Sequence, residues 1–238
     1  DANSVSKAVN FVSATDLHLS GSSLYDIDLL GTPISGITTD IDGDTRHSTT
    51  PYKGADEVVP RPVVSASKAY DGGGLGTTPG ATDVPVLGIN FSVSNGWAVL
   101  SGLSVQKFVN VSGRTLAGDG EVTLKAYVDV NGNNQVDGGD TYLGSATFSS
   151  DVANLSFTTS QTINAGTPLR ILLALDVSNT ANPSHWVALK ITDPTSVTIS
   201  SVAEKSSDNY PVKNDQDIPL PVQVANVSAE VKGSIVKL

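Results

Sequence analysis

Val122-Thr-Leu-Lys-Ala-Tyr-Val128, Asp129-Val-Asn-Gly-Asn-Asn-Gln-Val-Asp-Gly-Gly-Asp140 and Thr141-Tyr-Leu-Gly-Ser-Ala-Thr-Phe148 follow one another without a break. The first and third stretches alternate apolar and polar side chains, which is the period of a strand with one buried face. The middle stretch is rich in Gly, Asn and Asp, which favour turns. Together they predict a β-hairpin with a long acidic loop.

The loop of this hairpin carries oxygen atoms at the ligand positions of a twelve-residue calcium loop. That pattern expects Gly at position six and Glu at position twelve, where this chain has Asn134 and Asp140. Asn tolerates the left-handed backbone conformation that Gly provides, whereas Asp is shorter than Glu. We expect a structural Ca²⁺ site; the alternative is an Asx-rich turn held by its own hydrogen bonds. The predicted ligands are Asp129, Asn131, Asn133, Gln135 (through its carbonyl), Asp137 and Asp140.

The composition excludes several classes of function. The 238 residues are 39% hydrophobic and 16% charged, which suits one large or two modest globular domains. The net charge is −10 and the 14 Lys and Arg residues form no cluster, which argues against a nucleic-acid partner and against an anionic membrane surface. No apolar run approaches the roughly 20 residues of a membrane span. The chain has no Cys and no Met, so disulfides are excluded and we expect the numbering to begin after processing.

The remaining pattern is almost entirely β. Short alternating or apolar runs recur between turn residues, and no segment keeps a helical period over three turns. Regularly spaced strands of this kind are typical of a β-sandwich, so the predicted fold class is all-β. The predicted strands are 63–66, 87–93, 98–108, 122–128, 142–148, 155–159, 169–177, 186–191, 197–203 and 222–231.

We expect the chain to divide into three parts. Residues 1–58 are turn-rich, residues 59–212 form the β-sandwich with the calcium-type loop, and residues 213–238 form a linker with one or two C-terminal strands. The alternating C-terminal strand cannot stay ordered alone, because an unpaired strand edge invites pairing with another chain. This segment is therefore a candidate for donation to a neighbouring subunit.

Residues 1–58 contain four distinctive motifs: Asp16-Leu-His-Leu19, Gly31-Thr-Pro-Ile34, Thr39-Asp-Ile-Asp-Gly-Asp-Thr-Arg46 and Pro51-Tyr-Lys-Gly-Ala-Asp-Glu57. In this order they resemble the closing segment of secreted bacterial right-handed parallel β-helix proteins. The resemblance implies that these residues form the last coil and cap of such a solenoid. A capping coil cannot bury its apolar face alone, so we expect another surface to cover Val5, Phe11, Val12 and Leu17.

The C-terminal end carries a second resemblance. Residues 218–224 and the alternation after them look like the opening of a fibronectin type III-like domain found in proteins exported by type IX secretion. The two resemblances imply an extracellular location at a bacterial cell surface. The chain is then either a segment of a longer surface protein or a subunit that neighbours complete.

Other candidate sites are weaker. The three histidines, at positions 18, 47 and 185, lack the spacing of a catalytic or zinc motif. Asp40, Asp42 and Asp44 fill the first ligand positions of a second calcium loop, but Pro51 occupies position twelve; a solvated Asx turn is favoured, and a second ion stays open. The remaining candidates are the carboxylate pairs Asp26 with Asp28 and Asp56 with Glu57, and a sugar-stacking platform of Trp97 and Trp186.

The sequence thus predicts a non-catalytic extracellular structural protein, stabilised by calcium. We expect it to assemble with copies of itself, as a filament or surface layer, by β-strand addition of its terminal segments, or to adjoin domains of a longer surface protein. The alternative is a carbohydrate-binding or spacer module of a secreted multidomain enzyme or adhesin, with a polysaccharide as partner.

Overall fold

A computed structural model of the chain describes residues 6–72, 78–220, 230–232 and 235–237. Within this part the all-β prediction is confirmed: two mixed sheets pack on each other as a sandwich, and one of them is curled into a half-barrel. Helical structure in the described residues is confined to three single 3-10 turns. None of it is long or apolar enough to cross a membrane.

The first sheet has six strands and the second has seven. The strands in chain order are β1 (Val63–Asp71), β2 (Val84–Val93), β3 (Trp97–Phe108), β4 (Thr115–Leu116), β5 (Val122–Val128), β6 (Thr141–Thr147), β7 (Val152–Asn164), β8 (Leu169–Val177), β9 (His185–Ile191), β10 (Val197–Ile199), β11 (Glu204–Lys205), β12 (Val212–Lys213), β13 (Ile218–Pro219), β14 (Glu230–Lys232) and β15 (Ile235–Lys237).

The six-stranded sheet has the order β11-β1-β2-β8-β5-β6, so the predicted hairpin of β5 and β6 forms one of its margins. In the second sheet, β3 and β9 are central: β3 pairs with β7, β9 and β10, and β9 also pairs with β4, β12 and β13. Apolar residues at alternating positions fill the space between the sheets. On β8, Ile171, Leu173 and Leu175 belong to this core, and Leu172 on the opposite face is fully buried as well.

The sandwich extends beyond residue 212, where the sequence prediction placed its end. The sequence prediction places residues 213–238 in a linker with one or two C-terminal strands and takes residues 218–224 as the opening of a fibronectin type III-like domain. In the structure β13 pairs with β9, and Ile218 and Leu220 are each 1% exposed in the main core, so residues 218–220 are part of the sandwich. Strands β14 and β15 pair with each other; most of the predicted strand 222–231, with Val222 to Ala229, lies outside the described residues.

Residues 6–58 form a turn-rich segment that we call the cap. Three isolated antiparallel bridges organise it, and its small apolar cluster contains Leu19, Tyr25, Leu29 and Tyr52. This cluster also includes Val202 of the sandwich, and Trp97 packs against it. The ring of Tyr25 meets the ring of Trp97 edge-on, with centroids 5.3 Å apart. The cap is therefore seated on one end of the sandwich.

Candidate functional site

The acidic loop, residues 129–140, connects β5 to the edge strand β6. Its first residue still belongs to the sheet, because the Asp129 backbone N–H donates to the carbonyl of Arg170 on β8 at 3.1 Å. The side chain of Asp129 is fully buried, whereas the predicted ligands Asn131, Asn133 and Asp137 are exposed. The loop thus has a fixed base and a solvated tip.

Asp129 is a buried carboxylate that the protein satisfies only in part. Its Oδ2 accepts the Asn134 backbone N–H at 3.2 Å and lies 2.8 Å from Arg170 Nε. The Nε–H does not point along that contact, so Nε makes no hydrogen bond, and Asp129 Oδ1 has no hydrogen-bond partner. A buried charged oxygen without a partner is costly, so this atom is the strongest indication of a ligand in the loop.

The amide side chains of the loop form consecutive Asx turns. The side-chain oxygens of Asn131 and Asn133 each accept the backbone N–H two residues ahead, at 3.0 and 2.7 Å. Their NH₂ groups both donate to Asp137 Oδ2, at 2.9 and 2.8 Å. The Gly139 N–H and these two amides lower the pKa of Asp137. Asn134 adopts the left-handed conformation at φ 63°, as position six of a calcium loop requires.

Asp140 ties the two ends of the loop together. Its Oδ1 accepts the Val130 N–H and its Oδ2 accepts the Asp137 N–H, both at 3.1 Å. The side chain of the twelfth residue therefore reaches back across the loop although Asp is shorter than Glu. The Gln135 N–H is taken by Asn133, and no hydrogen bond to the Gln135 carbonyl is found in the described residues.

This geometry accommodates both sequence predictions. The Asx turns and cross-loop hydrogen bonds hold the loop by themselves, yet they leave Asp129 Oδ1 without a hydrogen-bond partner. The three loop carboxylates do not lie within 4.8 Å of one another. Calcium binding would require the amides of Asn131 and Asn133 to turn their oxygens inward and Asp137 to approach. The calcium site therefore stays a prediction.

The carboxylates of the cap mostly hold its own turns. Asp40 Oδ1 accepts the N–H groups of Asp42 and Asp44 at 2.9 and 2.8 Å, which is an Asx turn. Lys7 bridges the proposed pair Asp26 and Asp28 at 2.5 and 2.9 Å. The carboxylates of Asp40, Asp26 and Asp28 therefore have structural roles in the cap.

In the second proposed pair the two carboxylates have separate partners. Glu57 is fully buried and bound to Arg61 and to the Tyr52 N–H, at 3.0 and 2.8 Å. Asp56 accepts the Leu19 N–H at 2.8 Å. Asp56 and Glu57 therefore each have a structural role in the cap.

The three histidines lie apart from one another. His185 contacts Glu121 at 2.7 Å, and His47 accepts hydrogen bonds from the turn at residues 49–50. His18 lies between Asp16 and Asp42, and a hydrogen bond to Asp16 raises its pKa. With Asp42 and Asp56, His18 forms the one group of three or more His, Asp or Glu ligand atoms within 4.8 Å that the described residues contain.

The two tryptophans do not share a surface. Trp97 packs against Tyr25 at the junction with the cap, and the guanidinium of Arg114 stacks on the ring of Trp186 at 3.8 Å. Each indole already has a partner of its own. A sugar platform built from both therefore stays a prediction.

Sequence reasoning missed the partners that come from distant positions. Arg170 on β8 faces Asp129 and also contacts the side chain of Asn134. Asp217 is fully buried and accepts the backbone N–H groups of Asn110 and Val111 and the guanidinium of Arg114. No spacing rule links residues 36 to 107 positions apart, so only the folded structure reveals these pairs.

Comparisons with known proteins give little beyond this description. No protein-family model matches the chain, and no curated protein matches it. Among solved structures the chain is similar to Spo0M, a sporulation control protein from Bacillus subtilis, at 9% identity and a TM-score of 0.28. The alignment covers 69% of this chain and 51% of that one, so it spans about half the length of Spo0M. Similarity at this level carries no inference about function.

Proposed function

We propose that the chain is a non-catalytic structural protein of a bacterial cell surface that assembles through its two terminal segments and is stabilised by calcium. The two resemblances in the sequence support the extracellular setting. The observation that carries the proposal is the distribution of exposed apolar side chains in the cap.

The cap exposes far more apolar surface than the sandwich does. Of the eleven large apolar side chains that are exposed in the described residues, seven lie in the cap and an eighth, Val59, follows it directly. Apolar exposure concentrated in one segment in this way marks surfaces that another protein covers. The seven are Phe11, Val12, Leu17, Ile27, Ile34, Ile37 and Ile41.

Part of this surface is concave. A groove of about 330 Å³ runs between the start of the cap and its last turn, with Phe11, Leu17 and Leu29 in its walls. Phe11 and Leu17 are 45% and 51% exposed. Within the described residues β14 and β15 pair only with each other, so the C-terminal segment of a second copy is the occupant that we propose. Its alternating Val residues suit an apolar groove.

In this proposal calcium stabilises the edge of the six-stranded sheet. Ion binding at the loop would satisfy Asp129 Oδ1 and lock the connection from β5 to β6. Nothing in this role requires a reacting substrate. The loop lies on the sandwich, so it stabilises the subunit, whereas the cap supplies the contact surface.

The assembly proposal is tested with substitutions on the exposed walls of the groove. Phe11 and Leu17 line the groove and are 45% and 51% exposed, so Phe11→Lys with Leu17→Lys should leave the monomer folded. We expect sedimentation velocity and negative stain to show calcium-dependent polymers of the natural chain and monomers of the double variant. Val111→Lys, at a 48% exposed site outside the cap, is the matched control and should still polymerise. A natural chain that stays monomeric at high concentration with calcium would refute the proposal.

A further inference from the structure

We propose that His18, Asp42 and Asp56 form a binding site for a divalent transition-metal ion of the Zn²⁺ class, separate from the calcium-type loop. One imidazole nitrogen and two carboxylate oxygens, one from each residue, all lie within 4.8 Å of one another. Imidazole with carboxylate is a donor set for Zn²⁺ and related ions, whereas Ca²⁺ takes oxygen ligands.

The spacing of the donor atoms suits such an ion. His18 Nε2 lies 3.0 Å from Asp42 Oδ2. Ligand atoms at about 2.0–2.2 Å from a tetrahedral zinc ion lie about 3.3 Å apart. An ion can therefore enter between these two atoms with a small adjustment of exposed side chains. Three protein ligands leave the fourth position to water.

Asp16 prepares the histidine for metal binding, and Asp16 is not one of the three ligands. His18 Nδ1 lies 2.6 Å from Asp16 Oδ1, and the His18 backbone N–H donates to the same oxygen at 3.1 Å. With the Nδ1–H donated to Asp16, the Nε2 lone pair faces Asp42. Metal-binding histidines almost always donate their second ring nitrogen in this way, which fixes the tautomer and the ring orientation.

Hydrogen bonds also fix the Asp56 carboxylate and the backbone that carries Asp42. Asp56 Oδ2 accepts the Leu19 N–H at 2.8 Å, and the Asp42 backbone N–H donates to Asp40 Oδ1 at 2.9 Å. Among the ion pairs of the described residues, Asp42 is paired with His18 alone and Asp56 takes part in none. The site therefore has an excess of negative charge that a divalent cation would neutralise.

The ion would add a link between three stretches of the cap that backbone and side-chain hydrogen bonds already connect, such as the Ile41 N–H with the Ala55 carbonyl and the Leu19 N–H with Asp56. His18 follows the first turn of the cap, Asp42 lies in its central Asx turn, and Asp56 lies near its end. The neighbours Leu17 and Ile41 are among the exposed apolar residues. Metal binding would thus stiffen the same surface that we assign to assembly, although the site itself does not depend on that assignment.

The experiment uses the full chain after treatment with a chelator. Calorimetric titration with Zn²⁺ should give one equivalent that survives Asp129→Ala with Asp140→Ala. His18→Ala should abolish this binding, and Asp42→Asn or Asp56→Asn should weaken it at least tenfold. Asp16→Asn keeps all three ligands but loses the orienting carboxylate, so a 10–100-fold loss of affinity is expected. His47→Ala, the other histidine of the cap, is the matched control.

A second readout needs no variant. Nitrogen NMR of the natural chain should show that Zn²⁺ shifts the Nε2 resonance of His18 and leaves those of His47 and His185 in place. Equal Zn²⁺ affinity in His18→Ala and the natural chain, or an unchanged Nε2 resonance at saturating Zn²⁺, would overturn the site. Polymerisation has no part in either measurement, so the metal site and the assembly proposal fail independently.

Discussion

Asp217 attaches the last described loop of the sandwich to its body. The carboxylate is fully buried and receives the Asn110 N–H at 2.6 Å, the Val111 N–H at 3.1 Å and the Arg114 guanidinium at 2.8 Å. Burial alone would raise the pKa of Asp217, but these donors outweigh it, so its pKa lies below the usual value. Charge-assisted hydrogen bonds thus hold residues 214–220 in place.

Asp217→Asn tests this arrangement through acid unfolding. A folded-state pKa below the unfolded value of about 3.9 means that the ionised group stabilises the protein above that value and loses this effect as the pH falls through the folded pKa. We expect Asp217→Asn to lower the free energy of unfolding at pH 7 by about 1–3 kcal/mol. It should also flatten the decline of stability between about pH 5 and 2, measured by denaturant titration.

The control for Asp217 is Asp208→Asn, which makes the same charge change at an exposed position. It should change the unfolding free energy by less than about 0.5 kcal/mol at pH 7. An acid profile of Asp217→Asn that parallels the natural one would show that this carboxylate does not contribute in its charged form.

Asp129 is the residue at which the calcium prediction can be decided. A ligand at 100 times its dissociation constant adds about 2.7 kcal/mol, which corresponds to about 5–10 °C in a chain of this size. We expect chelation to lower the melting temperature by this amount. Asp129→Ala with Asp140→Ala should remove the difference, although it also lowers stability outright because Arg170 loses its partner.

Asp137→Asn, at an exposed position, separates the loss of calcium binding from the loss of the partner of Arg170. It leaves the buried pair of Asp129 and Arg170 intact. It should reduce the calcium effect, and it should destabilise the chelated protein less than Asp129→Ala with Asp140→Ala does, because Asp137 is exposed. Identical melting curves of the natural chain with calcium and with chelator would leave the loop as an Asx-rich turn.

At the scale of single residues, the sequence predicted contacts between residues that are close together in the chain. The spacing of oxygen-bearing residues from Asp129 to Asp140 is visible in the chain, and the structure places all of these residues in one loop. Arg170 was not predictable as a partner, because it reaches Asp129 only through the pairing of β5 with β8. Likewise Asp42 and Asp56 meet His18 through folding of the cap, which no spacing rule describes.

At the scale of secondary-structure elements, the turn between β2 and β3 forms part of the surface on which the cap packs. Gly96 adopts φ 56°, and a Cβ atom there would lie 2.7 Å from Cε2 of Tyr25. The next residue, Trp97, meets the same ring edge-on. The Tyr25 carbonyl accepts the Val202 N–H at 2.7 Å. The absence of a side chain at position 96 thus permits the close approach of the cap.

Gly96→Ala should therefore weaken docking of the cap. Overpacking costs about 1–3 kcal/mol in addition to the strain of a left-handed Ala. Gly113→Ala is the matched control, since Gly113 has φ 89° and nothing within 4 Å of its added Cβ. We expect limited proteolysis to cleave the cap of Gly96→Ala faster than that of Gly113→Ala. Equal cleavage rates would mean that the contact with Tyr25 does not hold the cap.

Strand prediction succeeded where a strand is long enough to show its period. All nine strands predicted between residues 63 and 203 are present, and β5 and β8 have the predicted bounds. The last of them is shorter than predicted, because β10 ends at Ile199. The two-residue strands β4, β11, β12 and β13 were missed, since pairing with distant neighbours defines them and their own pattern does not.

At the scale of the whole molecule, the two ends of the chain differ in how they meet the sandwich. The cap packs on it through Tyr25 and Trp97 but leaves apolar side chains exposed. At the other end, the chain contributes Ile218 and Leu220 to the main core, and β14 and β15 then pair apart from both sheets. The last residue that the chain contributes to the main core at this end is therefore Leu220, within the described residues.

Two truncations test whether the core ends there. Removing residues 221–238 should leave the melting temperature of the subunit nearly unchanged and abolish polymers, because both sheets keep all their strands. Removing 218–238 also deletes β13 and two buried side chains, which costs about 3–6 kcal/mol at about 1.5–3 kcal/mol for each. Calorimetry and sedimentation velocity on the same samples distinguish the two losses. If the chain without 221–238 still forms calcium-dependent polymers, the C-terminal segment is not the part that neighbouring subunits exchange.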